Sequence, residues 1–258
     1  MLQVMPEAVD TQLFDPSLHS PLDVMAADKR FKFLSVFKWE ARKGWDVLLR
    51  AFLSEFSAEE NNVALYIRTT AYHSDAFFRE KIQRFAQDEL NISSTKALDH
   101  IIILDKELPL HQLPRLYKGA DAFVLPSRGE GWGRPHIESM AMGVPTIATN
   151  WSGNTQFMLQ DNSFLIPIDG LEPVRDGPFE GHLWASPSPE ALRKIMRQVV
   201  TDPAAAKEVG ERGAVHVRTH YNPATIAQVL LARLEKIQNK LVSKGLLGET
   251  VTSSKTEL

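Results

Sequence analysis

Asp121-Ala122-Phe123-Val124-Leu125-Pro126-Ser127-Arg128-Gly129-Glu130-Gly131-Trp132-Gly133-Arg134-Pro135-His136-Ile137-Glu138 passes from strand to turn to helix without a break. Asp121 to Leu125 is a short apolar run of the kind that forms a strand covered on both faces. Gly129, Gly131 and Gly133 stand at alternate positions and let the backbone approach a ligand closely. Pro135 falls within the first turn of a helix from Arg134 to Met142, where its missing amide costs least. The free amides of that helix start suit an anion. A glycine stop follows, and Gly143-Val144-Pro145-Thr146-Ile147-Ala148 reads as the next strand.

The same alternation continues on both sides. Phe31 to Phe37, Asn62 to Thr69 and His100 to Leu104 have strand character, and Ser163 to Ile168 reads as a sixth strand. Between them lie helical patterns: the run opened by Gly44 with Trp45, Leu48, Leu49, Phe52 and Phe56 on one face, then Ala76 to Leu90, His111 to Tyr117, and Gly153 to Leu159. Parallel strands need crossover helices, so this rhythm predicts a doubly wound α/β fold with a parallel, Rossmann-like sheet. From Pro189 the pattern is purely helical, over Pro189 to Val200, Pro203 to Thr219 and Pro223 to about Val242. Residues 1–30, interrupted by Pro6, Pro16 and Pro21, read as an irregular linker, 31–220 as the Rossmann-like domain, and 221–258 as a carboxy-terminal helix with a disordered tail.

Composition narrows the function. At about 150 residues per domain, 258 residues amount to roughly 1.7 domains. With 43% hydrophobic and 24% charged residues the chain is that of an ordinary globular protein. It contains no cysteine, which removes thiol nucleophiles, zinc-thiolate sites and disulfides and fits a reducing, cytoplasmic setting. A net charge of −3 gives no global basic field for nucleic acid. No apolar run approaches the ~20 residues of a membrane-spanning helix, and the first residues lack the pattern of a signal peptide.

In an open parallel sheet, ligands bind beyond the carboxyl ends of the strands, which singles out two loops. The first is the glycine-rich turn, with Glu130 in it and Glu138 one turn inside the helix, where both carboxylates can accept hydrogen bonds from sugar hydroxyls. Its alternative reading is a tight strand-to-helix turn with a solvated Glu130 and a capping Glu138. The second, Lys38-Trp39-Glu40-Ala41-Arg42-Lys43-Gly44, brings three cations to the sheet edge, as a diphosphate requires. Its alternative is a solvated basic loop paired with Glu40.

Together these loops resemble the family-4 type retaining glycosyltransferases of the GT-B fold. The resemblance rests on Glu130 and Glu138 in the spacing of the family's E-x7-E motif, and on Lys38 and Lys43 spaced as the family's Arg/Lys and Lys. It extends through Gly143 to Thr149 and Ser152-Gly153-Asn154, where the family has a Gly-rich donor loop, and through Val4 to Pro16, which is similar to its interdomain hinge. The resemblance implies a carboxy-terminal donor-binding half of a GT-B enzyme. Lys38 and Lys43 would hold the diphosphate of a UDP- or GDP-sugar and stabilise the charge that develops on it. Glu138 would bind the ribose and Glu130 the transferred sugar. The amides of Gly131, Trp132, Gly133 and Arg134 would touch sugar or phosphate, with Thr149, Ser152 and Gly153 lining the same pocket. No metal or further cofactor is implied, and the sequence has no Asp-x-Asp cluster. Asp105 to Leu110 is where the family cradles the base with backbone atoms.

Departures accompany the match. Lys38 stands for a more frequent Arg, Arg134 for a Leu, and Ser152 to Gln156 lacks the family's Gly-Gly pair and following Glu. The family's amino-terminal domain, with most of the acceptor site and often a catalytic His, has no counterpart here. His73, His111 and His136 are tempting substitutes, but spacing identifies no carboxylate partner for any of them and each reads first as structural or solvent-exposed, His136 in the motif helix least so. The chain would then be active after pairing with an acceptor-domain subunit or as a homo-oligomer, or residually alone, and Ile226, Val229, Leu230, Leu234 and Ile237 form a helical stripe whose first half is expected on the chain's own core and whose far half is free for a partner. The competing readings are a catalytically inactive truncated nucleotide-sugar-binding or interaction module, and a nucleotide-sugar epimerase of the same architecture.

Overall fold

All six strands of the expected parallel sheet form. The computed structural model describes residues 4–56, 62–72, 75–175, 177 and 179–246. Its main sheet comprises β1 (Phe31–Trp39), β2 (Val63–Ala71), β3 (Ile101–Leu104), β4 (Ala122–Leu125), β5 (Thr146–Thr149) and β6 (Phe164–Ile166). They lie in the order β3-β2-β1-β4-β5-β6, every neighbouring pair parallel. The chain winds outward from β1 in one direction and from β4 in the other. Connections therefore leave the carboxyl ends of β1 and β4 toward opposite faces and open a crevice between them.

The helices are α1 (Asp23–Ala27), α2 (Trp45–Glu55), α3 (Phe78–Leu90), α4 (Leu113–Lys118), α5 (Arg134–Ala141), α6 (Pro189–Thr201), α7 (Pro203–His220) and α8 (Pro223–Ser243). Burial explains the central strands: Phe33, Leu34, Leu65, Ile67, Phe123, Val124 and Ile147 are fully enclosed, as strands covered on both faces must be. On α2, Leu48, Leu49 and Phe52 meet the sheet. Burying an apolar side chain of this size contributes about 1.5–3 kcal/mol.

Four local readings change. Residues 4–30 are not a loose linker, because Val9, Phe14 and Met25 are buried in the same core and the Val9 amide donates to the Tyr221 carbonyl at 2.9 Å. Isolated anchors of this kind carry no periodic signal. The helix expected over Gly153 to Leu159 shrinks to a single 3-10 turn, Gly153–Gln156. The helix expected from His111 is a 3-10 turn, Leu110–Gln112, leading into α4. Beyond β6 an unanticipated antiparallel hairpin forms from β7 (Ile168–Pro173) and β8 (Leu183–Pro187). Its β7 side is nearly all exposed and its connection includes Gly177 and Gly181, so little apolar alternation marks it. Along the apolar stripe of α8, Ile226 and Val229 in the first half are half-buried, while Leu230, Leu234 and Ile237 are exposed. His73 and the tail from Gly248 lie outside the described residues.

Candidate active site

The two loops singled out in the sequence meet at the crevice between β1 and β4. Lys43 donates from Nζ to Glu130 Oε1 at 2.7 Å and to Oε2 at 2.9 Å. Arg42 adds a second cation, with Nη1 3.2 Å from Glu130 Oε2 and 2.6 Å from the Gly129 carbonyl. Its Nη2 reaches Glu40 Oε1 at 2.6 Å. The Glu130 side chain is only 7% exposed and that of Lys43 11%, so this is a nearly dehydrated pair. Burial pushes the Glu130 carboxyl up, but neighbouring His136, Lys43 and Arg42 outweigh it and hold the group below its ordinary range.

Close backbone approach makes the arrangement possible. Gly44 takes φ +65°, and a Cβ there would stand 2.0 Å from the Pro126 carbonyl oxygen; only glycine lets the β1 loop lie on the β4 loop. The Arg128 guanidinium forks onto Asp46 at 2.8 and 2.6 Å and fastens the same two loops. The loop after β5 closes the third side. Ser152 Oγ accepts from the Glu130 amide at 2.8 Å, and the Gly153 amide donates to the Glu130 carbonyl at 3.0 Å. A Cβ on Gly153 would fall 2.1 Å from the Gly131 carbonyl oxygen. Ser152 itself sits at φ 69°, ψ −152°, a region that costs a non-glycine residue about 1–3 kcal/mol and is found where a structure holds functional geometry.

Glu138 occupies a separate, drier environment on α5. Its Oε2 accepts from the Tyr117 hydroxyl at 3.0 Å, and Arg134, one turn earlier, stands 3.7 Å from Oε1. Burial raises its pKa to about 7, against the opposing pulls of Tyr117 and Arg134. Near neutrality this carboxyl is thus divided between its two protonation states. Burial and the adjacent carboxylate push the Tyr117 phenol well above its ordinary value, so Tyr117 remains a donor.

Among the sequence-predicted residues, Lys43, Glu130, Gly131, Ser152 and Gly153 come together. Lys38 is exposed and stands apart from Glu130, its Nζ 5.0 Å over the Tyr72 ring. Trp132 packs its ring on Phe157 and Tyr221 at 5.4 and 5.8 Å, which anchors the loop in the core. Gly133 is the left-handed N-cap residue of α5, and its carbonyl accepts from the His136 and Ile137 amides at 3.0 and 3.2 Å. Arg134 is more than half exposed and also reaches Glu7 at 3.5 Å. Thr149 is fully buried, a correction to its expected place on the pocket wall. His111 is exposed. His136 is fully buried beside Phe123, and burial lowers its pKa despite the pull of Glu130. Sequence reasoning missed two residues. Arg42 was visible only as one of three neighbouring cations, and Tyr117 carried no signal because its partner is 21 positions away.

Two clefts flank the Lys43–Glu130 pair. One, of about 510 Å³, lies between the ends of β1 and β2 and the segment after β3, with Lys38, Lys43, Arg68, Thr70, Leu110 and Pro135 on its walls. The other, of about 500 Å³, includes Arg42, Glu130, Trp151, Ser152, Phe179 and Trp184. A larger hollow of about 1060 Å³ sits at the opposite, amino-terminal edge of the strands, away from both loops. Among the described residues no group of three or more His, Asp or Glu side chains is placed to hold a metal ion.

The family described as glycosyl transferases group 1 matches residues 28–202, a span that contains both loops and every strand of the site. The chain belongs to the group 1 glycosyl transferases. It is 26% identical over 185 residues to a D-inositol 3-phosphate glycosyltransferase of Acidothermus cellulolyticus, covering 67% of this chain and 38% of that protein. A solved carboxy-terminal domain of a group 1 family glycosyl transferase from Francisella tularensis superposes with a TM-score of 0.62 at 19% identity, over 83% of this chain and 99% of that one. The Anabaena protein Alr3699/HepE, solved in complex with UDP and glucose, gives a TM-score of 0.69 at 15% identity, over 91% of this chain and 57% of that one. The chain spans less than half the length of the curated relatives it matches. This group 1 chain therefore has the Rossmann-like half of the GT-B fold, with a helical carboxy-terminal region. In the described residues no helix is long and apolar enough to cross a membrane.

Proposed function

We propose that this chain is the donor-binding half of a retaining glycosyltransferase that acts on a nucleotide-sugar in the cytoplasm. The observation that carries the reading is the buried Lys43–Glu130 pair with Arg42, set between two clefts at the switch point of the sheet. The cleft beyond Lys43 takes the nucleotide, with the diphosphate against Lys43 and the glycine-rich backbone that leads into α5. Glu138, held by Tyr117, receives ribose hydroxyls, and its mixed protonation lets it accept or donate.

The donor diphosphate competes with Glu130 for Lys43 and Arg42. As it binds, Glu130 is released to accept hydrogen bonds from the sugar. In transfer the bond between the anomeric carbon and the diphosphate oxygen breaks, while the acceptor hydroxyl oxygen bonds to that carbon on the same face. The acceptor proton passes to the leaving diphosphate, and Lys43 and Arg42 stabilise the charge it gains. The reading needs no metal ion, because these side chains supply the positive charge.

The exposed apolar face of α8, with Leu230, Leu231, Leu234 and Ile237 each 44–60% exposed, supports docking of an acceptor domain or second subunit there. The same exposed face also favours a second reading, a catalytically inactive nucleotide-sugar-binding module that works through a partner. Calorimetric titration with UDP-glucose and GDP-mannose tests the donor reading. Binding that weakens in Lys43→Ala and Glu138→Ala supports it, and no binding of either compound defeats it. Sugar transfer that appears only on adding an acceptor-domain protein separates the enzyme from the inactive module.

A further inference from the structure

Aromatic side chains gather at the second cleft. Among the described residues, four aromatic rings are classed as exposed: Tyr72, Phe77, Trp151 and Phe179. Three of them, Tyr72, Trp151 and Phe179, border this one cleft, joined by the half-buried Trp184. They come from separate elements: the end of β2, the loop after β5, and the β7–β8 hairpin. Exposed apolar rings cost solvation free energy when left in water, and a cluster of them marks a surface that meets something.

The polar groups beside the rings narrow what that is. Glu40, Arg42, Arg128 and Glu130 line the same cleft, so carboxylate acceptors and guanidinium donors stand among the aromatic faces. Gly129 and Gly131 form part of its wall, and a Cβ on either would meet nothing within 4 Å, so the backbone there is open to close approach. Flat rings with both kinds of hydrogen-bonding group fit a pyranose, whose C–H face is weakly positive and apolar while its rim is hydroxylated. A purely apolar partner would dehydrate these charged groups without giving them hydrogen bonds in place of water. The cleft's volume of about 500 Å³ has room for more than one sugar ring.

We propose that this second cleft is a carbohydrate acceptor subsite, with Phe179 and Trp151 as stacking surfaces. This rests on the donor reading only for the word acceptor. A transfer site needs two substrates that meet at one point. The first cleft holds the nucleotide on one side of the Lys43–Glu130 pair, and the aromatic cleft opens on the other. The hairpin, which lies beyond the parallel sheet and adds no strand to it, thereby acquires a role. Tyr72 closes the subsite next to the first cleft, where Lys38 lies over its ring.

Saturation-transfer NMR on the full chain, with maltose, cellobiose, lactose and α-1,6-mannobiose as probes and UDP or GDP present, tests the proposal. Transfer to the ring protons of at least one disaccharide is expected. The double variant Phe179→Ala/Trp151→Ala should weaken that binding about tenfold, while Phe179→Tyr should retain it. Both replaced side chains are exposed, and unchanged UDP or GDP affinity in the double variant confirms that the nucleotide cleft is intact. No transfer to any of the four disaccharides, or transfer that survives the double variant unchanged, overturns the subsite. Disaccharide contact without binding of UDP or GDP supports the subsite while defeating the donor reading. Nucleotide binding without disaccharide contact does the reverse.

Discussion

Replacing Glu138 by glutamine should make the protein more stable at alkaline pH and poorer at holding its donor. Glu138 is 7% exposed, and burial lifts its carboxyl from 4.5 to about 7. A raised folded-state pKa means that the folded protein holds this proton more tightly than the unfolded chain does. Its contribution to stability is therefore fully present below pH ~4.5, falls as pH rises, and is lost above pH ~7. At about 1.36 kcal/mol per decade, the span from 4.5 to about 7 corresponds to roughly 3 kcal/mol. Glu138→Gln removes the ionisation and keeps an oxygen for the Tyr117 hydroxyl, now 3.0 Å from Oε2. The new amide hydrogens cost about 1 kcal/mol if they find no acceptor, but that cost is independent of pH. Urea unfolding at intervals from pH 4.5 to 8 should show the wild type losing about 3 kcal/mol that the variant keeps. Parallel stability profiles for the two proteins would refute the reasoning, since Glu138 would then titrate alike in the folded and unfolded states.

Tyr117→Phe removes the donor that favours ionised Glu138, so the pH at which nucleotide-sugar affinity changes should move upward and stability should fall by about 1 kcal/mol; calorimetry across pH 6 to 9 reads the first and urea unfolding the second. Lys43→Met leaves the buried Glu130 with Arg42 alone, and unfolding should become easier by about 3 kcal/mol, together with loss of donor binding in the same calorimetric assay. Gly153→Ala places a methyl group 2.1 Å from the Gly131 carbonyl oxygen. Because the obstruction is backbone, the β4 and β5 loops must separate, and a loss of about 3 kcal/mol or more in urea midpoint analysis is expected.

The sequence revealed the sheet because its strands are short apolar runs punctuated by glycine and proline, a pattern that depends only on neighbours along the chain. Leu65, Val124 and Ile147 needed no tertiary knowledge to be placed inside. The Lys43–Glu130 contact was legible in a weaker sense. Each residue lay in a loop that a doubly wound sheet must bring to the same edge, so proximity followed from topology although the hydrogen bonds did not. Side-chain direction was beyond reach. Lys38 and Lys43 look equivalent in sequence, yet Lys38 is turned out onto Tyr72 while Lys43 is turned in. Thr149 sits at the end of a strand, and only the packed structure shows that it is buried. Tyr117 and the β7–β8 hairpin were illegible because their partners lie far along the chain or their apolar residues face outward.

On the proposed donor reading, the charge balance of the site has a thermodynamic use. Glu130 and the cations Lys43 and Arg42 could not each be buried alone, since an isolated buried charge costs several kcal/mol. Held together they keep the crevice folded around an ion pair that a diphosphate can replace. Two phosphate groups offer Lys43 and Arg42 more negative charge than Glu130 does, so the exchange can run toward the donor while the released carboxylate finds sugar hydroxyls in place of its lost partners. On the same reading Glu138 works in the opposite sense, its ionised form disfavoured by burial until a ribose would supply hydrogen bonds. One carboxylate is thus held in reserve by cations and the other by dehydration, and both are relieved by the same ligand. Because this coupling passes through Lys43, removing Lys43 should weaken the donor more than removing the exposed Lys38, even though the two stand only five residues apart in the sequence.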